Sequence, residues 1–258
     1  MRHIVIGDIH GCLDEFNELV KLVNYSKGTD DLILVGDLID RGPDSPGVIR
    51  RARELGARCV RANHEESALR YRKHEALKLK NPNYVNPMRP RHPDRLAQWA
   101  AVSDDDWNWV DSLPPYIKFC NNWVAVHAGA RAGILMKDQA VNELIRIRYV
   151  HNLTGKMVPL SDTGEAGSEC HPWYEDWAVG PATDEQNIVY GHHVYDQVNI
   201  QKTGTALTVG IDTGCCFGGH LTALVLHDDN PNDDLTFVSV PAKQPYADLK
   251  AAWTKSDK

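Results

Sequence analysis

The sequence predicts an α/β fold in which two mixed β-sheets pack face to face and helices cover their outer sides. In the first 65 residues, a short apolar run, a polar tip and a helical pattern follow one another three times. In the last third of the chain, strand-like runs are joined by short connections instead. The first pattern is typical of parallel strands with right-handed crossovers, and the second indicates a more antiparallel sheet packed on the first.

The first repeat begins with the apolar run His3–Ile6, which predicts a short buried strand. Phe16, Leu19, Val20 and Val23 then recur at the spacing of an amphipathic helix. A polar tip lies between the strand and the helix. Because ligands gather at the carboxyl ends of parallel strands, such tips supply candidate site residues.

The second and third repeats keep this order. Leu32–Val35 and Arg58–Arg61 predict strands, and Val48–Leu55 predicts the helix between them. Farther on, four prolines interrupt the segment 81–94, which predicts an irregular excursion flanked by helices. Trp123–Val126 predicts another strand that ends at a histidine.

The rest of the chain predicts shorter elements. We expect a helix around Gln139–Arg146, a surface loop over Ser161–Glu169 and a frayed end from Thr254. The run 188–190 is strand-like and leads into a Gly-His-His tip. Three further strand-like runs are expected in the second sheet: 208–211, 222–226 and 235–240.

Composition is that of a globular protein. Of 258 residues, 42% are apolar and 24% are charged, so a core of normal size can be buried. The formal net charge of −7 argues against stable binding of nucleic acid or anionic lipid by the whole surface. No apolar stretch reaches the length of a membrane helix, and we expect no membrane partner. Oligomeric state is left open.

The six cysteines form no C-x-x-C pair, so we expect reduced thiols. The first polar motif begins at Gly7, which leaves no room for a signal peptide. Together these features predict a cytoplasmic protein.

Oxygen and nitrogen donors stand at the predicted strand tips, and none of them is sulfur. This donor set suits manganese, iron or zinc, with manganese preferred. Six ligands with a shared carboxylate are enough for two divalent metals, which activate water and clamp the oxygens of a phosphoryl displacement. The candidate ligands are Asp8, His10, Asp37, Asn63, His127 and His192.

The motifs Gly7–Gly11 (GDIHG), Gly36–Gly42 (GDLIDRG) and Asn63–Glu65 (NHE) resemble the signature of the phosphoprotein phosphatase branch of the calcineurin-like metallophosphoesterases. The resemblance runs from Gly7 to about Leu226. It implies one metallophosphoesterase domain over residues 1–258, with a basic irregular insert at about 70–95. It also implies hydrolysis by metal-activated water without a covalent intermediate.

By the same resemblance, Asp8, His10 and Asp37 hold one metal, and Asp37 is shared with the second. The remaining ligands of the second metal are Asn63, His127 and His192.

The resemblance also implies that His64 is the general acid that protonates the leaving oxygen and that Asp40 orients it. Arg41 is expected to grip the phosphate through its planar fork, with Asn63 and Arg148 as further phosphate contacts. Arg148 could equally form an exposed ion pair.

Two positions depart from the family pattern. Ala62 stands where the third motif usually begins with Gly, and we expect a small adjustment of that loop. Ala128 replaces a second Gly of the protein phosphatases, and this form is similar to the bacterial diadenosine tetraphosphatases. The stretch 210–224 resembles the same enzymes.

The preferred substrate is therefore a nucleotide polyphosphate such as diadenosine tetraphosphate. The alternative is a serine/threonine or broad-specificity protein phosphatase, and a polynucleotide phosphatase or polyphosphate hydrolase is less favoured. A catalytically dead scaffold is disfavoured because no motif residue is lost.

The basic insert has two interpretations. It could bind additional phosphates, with Tyr71 or Tyr84 stacking on a base, or it could be a solvated helix face followed by a proline-broken loop. Its basic residues are Arg70, Arg72, Lys73, Lys78, Lys80, Arg89, Arg91 and Arg95.

Overall fold

The computed structural model describes residues 1–159, 169–177, 187–203, 206–229 and 235–249. Most of the surface loop expected over Ser161–Glu169 and the end expected to fray from Thr254 lie outside these residues. Within the described ranges, no helix combines the length and the hydropathy that a membrane crossing requires.

Helices and strands alternate through the first half of the chain, and short strands dominate the second. The helices are α1 (Leu13–Leu22), α2 (Ser45–Leu55), α3 (Asn63–Lys80), α4 (Pro93–Ala100), α5 (Asp104–Asp111), α6 (Val141–Leu144) and α7 (Trp173–Trp177). The strands are β1 (Arg2–Ile6), β2 (Asp30–Leu34), β3 (Arg58–Cys59), β4 (Tyr116–Phe119), β5 (Trp123–Val126), β6 (Tyr149–His151), β7 (Met157–Val158), β8 (Cys170–Pro172), β9 (Asn187–Tyr190), β10 (Asn199–Thr203), β11 (Ala206–Gly210), β12 (His220–His227) and β13 (Thr236–Pro241).

The first sheet has the strand order β13-β12-β1-β2-β3. Strands β1, β2 and β3 are parallel, as the repeated strand-and-helix pattern predicts, and β12 and β13 add antiparallel edges. Ile6 lies opposite Leu34 on one side and Ala223 on the other. The carboxyl ends of the parallel strands therefore point to one edge.

The second sheet has the order β10-β11-β9-β5-β4, in which β5, β9 and β11 are parallel. A small third sheet, β7-β6-β8, is formed by residues between β5 and β9 along the chain. None of its strands was predicted from the sequence. Both five-stranded sheets are mixed, which confirms the predicted fold class.

The alternation of side chains shows how the layers stack. On β1, Val5 belongs to the cluster between the sheets, while Ile4 and Ile6 pack with helices α1 and α2 on the outer side. On β5, Trp123 and Ala125 face the same central cluster. Successive residues of a strand point to opposite faces, so each sheet is buried on both sides.

Two expectations about elements are wrong. The runs 222–226 and 235–240 were expected in the second sheet, but they form β12 and β13 of the first. Residues 221–226 are buried on both faces, which suits a strand inserted beside β1. The basic segment 70–95 is irregular only from Asn81 onward, since α3 continues to Lys80 before the first proline.

Candidate metal centre

Parallel strands of both sheets end at the same place, and most of the predicted metal ligands follow them. Asp8 comes two residues after β1, Asp37 follows β2, His127 follows β5 directly and His192 comes two residues after β9. Asn63 is the first residue of α3. The topology thus brings donors that are up to 184 residues apart into contact.

Backbone geometry at these tips is unusual. Positive φ angles occur at His10 (48°), Asp37 (48°), Asp40 (72°), Arg41 (69°) and His192 (66°). Residues other than glycine adopt this region at a cost of order 1–3 kcal/mol each. Their concentration in one place indicates that the surrounding structure holds the tips in a functional arrangement.

Asp37 lies at the centre of the cluster. Its Oδ2 is 3.3 Å from Nε2 of His10, 3.6 Å from Nε2 of His127 and 3.9 Å from Nε2 of His64. Burial opposes ionisation of Asp37, but its interactions with the surrounding imidazoles, His127 first, and with the Arg41 guanidinium hold the pKa of this carboxyl below its usual range. Asp37 is therefore an ionised carboxylate placed to be shared.

Two histidines are fixed in orientation by main-chain carbonyls. His10 Nδ1 donates to Ile39 O at 2.9 Å, and His127 Nδ1 donates to Val35 O at 2.9 Å. Burial lowers the pKa of His10, and it lowers that of His127 to about 4. Both rings are then neutral, with the Nε2 lone pair directed at the cluster, which is the usual state of a metal-bound histidine.

The remaining donors show that the site suits a cation. Asp8 accepts from the His192 main-chain N–H at 3.0 Å through Oδ2, whereas its Oδ1 is buried without a partner in the described chain. Nε2 of His192 is likewise buried without a hydrogen-bond partner in the described chain. His127 Nε2 lies 2.8 Å from Asn63 Oδ1 and 3.2 Å from His192 Nδ1. The bare acceptors His127 Nε2 and Asn63 Oδ1 face each other, and a divalent metal between such atoms would satisfy both.

Glycine is required where β9 ends. A Cβ at Gly191 would collide with the Asp8 carboxylate and would also meet Val35. The close approach of the two strand tips therefore needs a residue without a side chain. At Ala62, in contrast, φ is −124°, which any residue adopts, so the adjustment expected there is not needed.

His64 and Asp40 form a tight pair beside the donors. His64 Nδ1 lies 2.5 Å from Asp40 Oδ2, and both side chains are buried. Trp99 Nε1 donates to Asp40 Oδ1 at 2.8 Å, and Arg95 Nη2 donates to Asp40 Oδ2. Against the effect of burial, His64 and Arg95 hold the pKa of Asp40 below its usual range. Asp40 is thus a fixed anion behind the imidazole.

Three residues of this environment were not identified from the sequence. Arg95 and Trp99 were not connected with Asp40, which lies 55 and 59 positions away, and no local pattern marks such contacts. Glu65 is the third: its carboxylate accepts from the main-chain N–H of Asp37 at 3.1 Å and of Leu38 at 2.9 Å. The sequence signal that could have identified Glu65 is its place in the NHE motif.

Glu65 and Asp212 are further buried acids at the edge of the cluster. Burial and the nearby Asp37 and Asp40 raise the pKa of Glu65 to about 8. Burial raises the pKa of Asp212 to about 6, and burial followed by the charge of Asp212 raises that of Asp8. Such a concentration of buried acids indicates a place built to hold positive charge.

Two of the predicted phosphate-binding residues border the cluster on different sides. The Arg41 guanidinium lies 5.0 Å from the centroid of the Phe217 ring and 2.5 Å from His10 Nε2. Arg148 Nη2 donates to the main-chain oxygen of His192 at 3.1 Å. The third, Asn63, contacts His127 as described above.

The tyrosines of the basic segment pack against side chains of the protein itself. The Arg91 guanidinium lies 6.0 Å from the Tyr71 ring, and Tyr71 packs against Trp99. Tyr84 stacks on His74 and shares a hydrogen bond with it. Both tyrosines considered for base stacking thus have aromatic partners of their own.

A family model described as calcineurin-like phosphoesterase matches residues 1–231. The chain belongs to the calcineurin-like phosphoesterase family. The resemblance drawn from the motifs is confirmed, and so is the conclusion that the protein is a metal-dependent hydrolase.

Curated relatives cover almost the whole chain. A symmetrical bis(5'-nucleosyl)-tetraphosphatase of Enterobacter sp. is 28% identical over 88% of this chain and 92% of its own length. The asymmetrical bis(5'-nucleosyl)-tetraphosphatase PrpE of Halalkalibacterium halodurans is 29% identical over 97% of this chain and 98% of its own.

Solved structures agree on the fold. A candidate diadenosine tetraphosphatase superimposes with a TM-score of 0.71 and 27% identity, covering 93% of both chains. A serine/threonine phosphatase of Saccharomyces cerevisiae superimposes with a TM-score of 0.56 and 15% identity, over 95% of this chain and 81% of its own. At that identity the second comparison shows a shared fold alone.

Proposed function

We propose that the cluster binds two divalent metal ions and that Asp37 is their shared ligand. Asp8 and His10 complete the first site, and the second is completed by Asn63, His127 and His192. The position of Asp37 Oδ2 between Nε2 of His10 and Nε2 of His127, at 3.3 and 3.6 Å, supports its role as the shared ligand. Manganese is the proposed metal because all donors are oxygen or nitrogen.

The two metals, when bound, lower the pKa of a coordinated water and offset the negative charge of the phosphate. The side chains near them have separate tasks. His64 Nδ1–H donates to the Asp40 carboxylate, so Nε2 is the ring nitrogen that faces the metal donors. We assign the general acid to the His64 imidazolium, which gives its Nε2 proton to the leaving oxygen and keeps its Nδ1 proton, and we assign to Asp40 the orientation of the ring and the stabilisation of its positive charge.

Arg41, Arg148 and Asn63 are the proposed phosphate contacts. Arg41 lies beside His10 and Arg148 beside His192, so a phosphate at the metals has a guanidinium on either side. Planar guanidinium groups bind phosphate through paired hydrogen bonds. The ring of Phe217 supports Arg41 from behind.

We propose that the substrate is a bis(5'-nucleosyl) tetraphosphate such as diadenosine tetraphosphate. The observation that carries this proposal is the agreement of relatives over nearly the full length of both chains. These relatives include a symmetrical and an asymmetrical enzyme, so both cleavage positions need testing. A protein phosphatase activity is supported by the fold alone. The cytoplasmic location stays a prediction.

A rate comparison with manganese tests this function. The substrates are diadenosine tetraphosphate, a phosphoserine peptide, inorganic polyphosphate and an activated aryl phosphate. We expect kcat/KM to be highest for the dinucleotide by orders of magnitude. ADP as the sole product would show symmetrical cleavage, and ATP with AMP would show asymmetrical cleavage.

Preference for the phosphopeptide would contradict the proposed substrate but leave the metal centre intact. Asp37→Asn serves as the inactive variant, and Asp105→Asn serves as its exposed control. Hydrolysis by Asp37→Asn at the wild-type rate would contradict the metal centre itself.

A further inference from the structure

A second group of potential metal ligands includes the residue that directly follows the first motif, Gly7–Gly11. It consists of Cys12, Glu15 and Cys215, here called the thiol cluster. The two sulfur atoms and a carboxylate oxygen all lie within 4.8 Å of one another. Their residues are 0%, 0% and 1% exposed. None of the three belongs to the donors of the catalytic cluster.

The fold brings the thiol cluster together from distant parts of the chain. Cys12 immediately precedes α1, and Glu15 lies in the first turn of that helix. Cys215 begins a short 3-10 turn after β11, where the preceding Gly214 has a φ of 72°. The sharp turn at Gly214 directs the chain back toward α1.

The Glu15 carboxylate is only half satisfied by the protein. Its Oε1 accepts from the Lys243 main-chain N–H at 2.9 Å and from the Tyr246 hydroxyl at 2.8 Å. Its Oε2 is buried and has no hydrogen-bond partner in the described ranges. A buried carboxylate oxygen without a partner is costly, whereas a cation beside two thiols would satisfy it.

We propose that the thiol cluster binds one thiophilic divalent cation, of which zinc is the best example. Zinc binds thiolate sulfur at about 2.3 Å and carboxylate oxygen at about 2.0–2.2 Å, so ligand atoms around one tetrahedral ion lie roughly 3.4–3.8 Å apart. The three atoms, which lie within 4.8 Å of one another, therefore need to approach by about 1 Å or less to share an ion. Three protein ligands leave one tetrahedral position, which water commonly fills.

The two metal centres differ in the cations that they select. The catalytic cluster offers oxygen and nitrogen, which suits manganese, while two sulfurs favour a softer ion. A disulfide between Cys12 and Cys215 accounts for the structure less well. It would leave Oε2 of Glu15 unpartnered, and buried thiols away from positive charge react slowly with oxidants.

A bound cation would join three segments behind the catalytic cluster. Cys12 lies two residues after His10, and Cys215 lies three residues after Asp212. Glu15 connects them to the chain after β13, where the Tyr246 N–H donates to Cys216 O at 2.9 Å. The site is therefore structural, and the cation is expected to enter during folding.

Cobalt substitution tests the proposal without reference to enzyme activity. Whole protein is produced in zinc-poor medium supplemented with cobalt, and its near-ultraviolet spectrum is recorded. Cobalt bound to thiolate gives a sulfur-to-metal charge-transfer band, which the catalytic cluster cannot give because it contains no sulfur. We expect this band in the wild-type protein. We also expect the variant Asp37→Asn to lose the metal of the catalytic cluster and to retain one metal ion per chain.

The variants Cys12→Ser and Cys215→Ser should lose the band and one equivalent of metal. Cys59→Ser is the matched control, since Cys59 is buried elsewhere and should leave both unchanged. Absence of the band from the wild-type protein would overturn the proposal even if the variants fail to fold. Loss of two titratable thiols without bound metal would show a disulfide instead.

Discussion

Arg95 reaches the buried pair of Asp40 and His64 from helix α4, and its removal should show how His64, the proposed general acid, is held. Its Nη2 donates to Asp40 Oδ2 and lies 3.0 Å from His64 Nδ1. The Arg95 side chain is 27% exposed and that of Asp40 is 2% exposed. The perturbation is Arg95→Met, which keeps the apolar stem and removes the charged donor.

The expected size follows from the kind of bond that is lost. A hydrogen bond to a charged group contributes about 1.5–3 kcal/mol, which corresponds to roughly 10- to 100-fold in rate if it is needed in the transition state. In this variant Trp99 still donates to the Asp40 carboxylate and the Asp40 main-chain N–H still donates to the Ser45 hydroxyl, so the residue stays in place. His64 then has an acid partner that is less firmly oriented.

A comparison of substrates whose leaving groups differ in basicity distinguishes a loss of His64 positioning from a general loss of structure. We expect kcat to fall roughly 10- to 100-fold for a nucleotide or alkyl phosphate, whose leaving oxygen needs a proton. For an activated aryl phosphate the fall should be several-fold smaller, because that oxygen leaves without protonation. Arg91→Met is the control, since Arg91 binds Ser67 and faces Tyr71 instead of Asp40. Equal losses on both substrates would refute the reasoning.

Three further perturbations test other parts of the molecule. Asp37→Asn should lose metal, measured by elemental analysis, and retain less than about a tenth of the wild-type rate; metal content equal to wild type would contradict a shared ligand. His64→Asn should slow turnover with metal content unchanged, and a fall in metal would make His64 a ligand instead. His3 bonds Asp31 and Asp228 at 2.8 Å each, and these bonds outweigh burial and raise its pKa above 6.5. Its stabilisation is complete below that value and is lost as pH rises through the folded pKa, so the Tm difference between wild type and His3→Gln should shrink from pH 6 to pH 9.

The strand-tip motifs were predictable because they are local. An apolar run followed by a polar tip identifies the end of a parallel strand, and such ends meet at one edge of a sheet. That argument was sufficient to select Asp8 and Asp37, which the structure places in one cluster with His127 and His192. It needed no knowledge of which strands are neighbours.

The errors concern pairings over long distances. The sequence of β12 predicts a strand but does not indicate whether that strand belongs to the first sheet or to the second. Its place beside β1 is fixed by contacts such as Ile4 with Val225, which are more than 200 positions apart. The contact of Arg95 with Asp40 is of the same kind, and for that reason the basic segment was interpreted as a solvated or phosphate-binding surface.

The positive φ angles and the buried acids of the catalytic cluster have a common explanation. His10, Asp37 and His192 must present their donors at strand ends, where extended backbone would turn alternate side chains away from one another. The left-handed conformations re-aim these side chains, and main-chain hydrogen bonds stabilise the bent segments. Glu65 receives the N–H groups that the turn after β2 frees, and Asp8 receives that of His192. Carboxylates are suited to this task because each oxygen accepts more than one bond, which is why acids surround a site that must also hold cations.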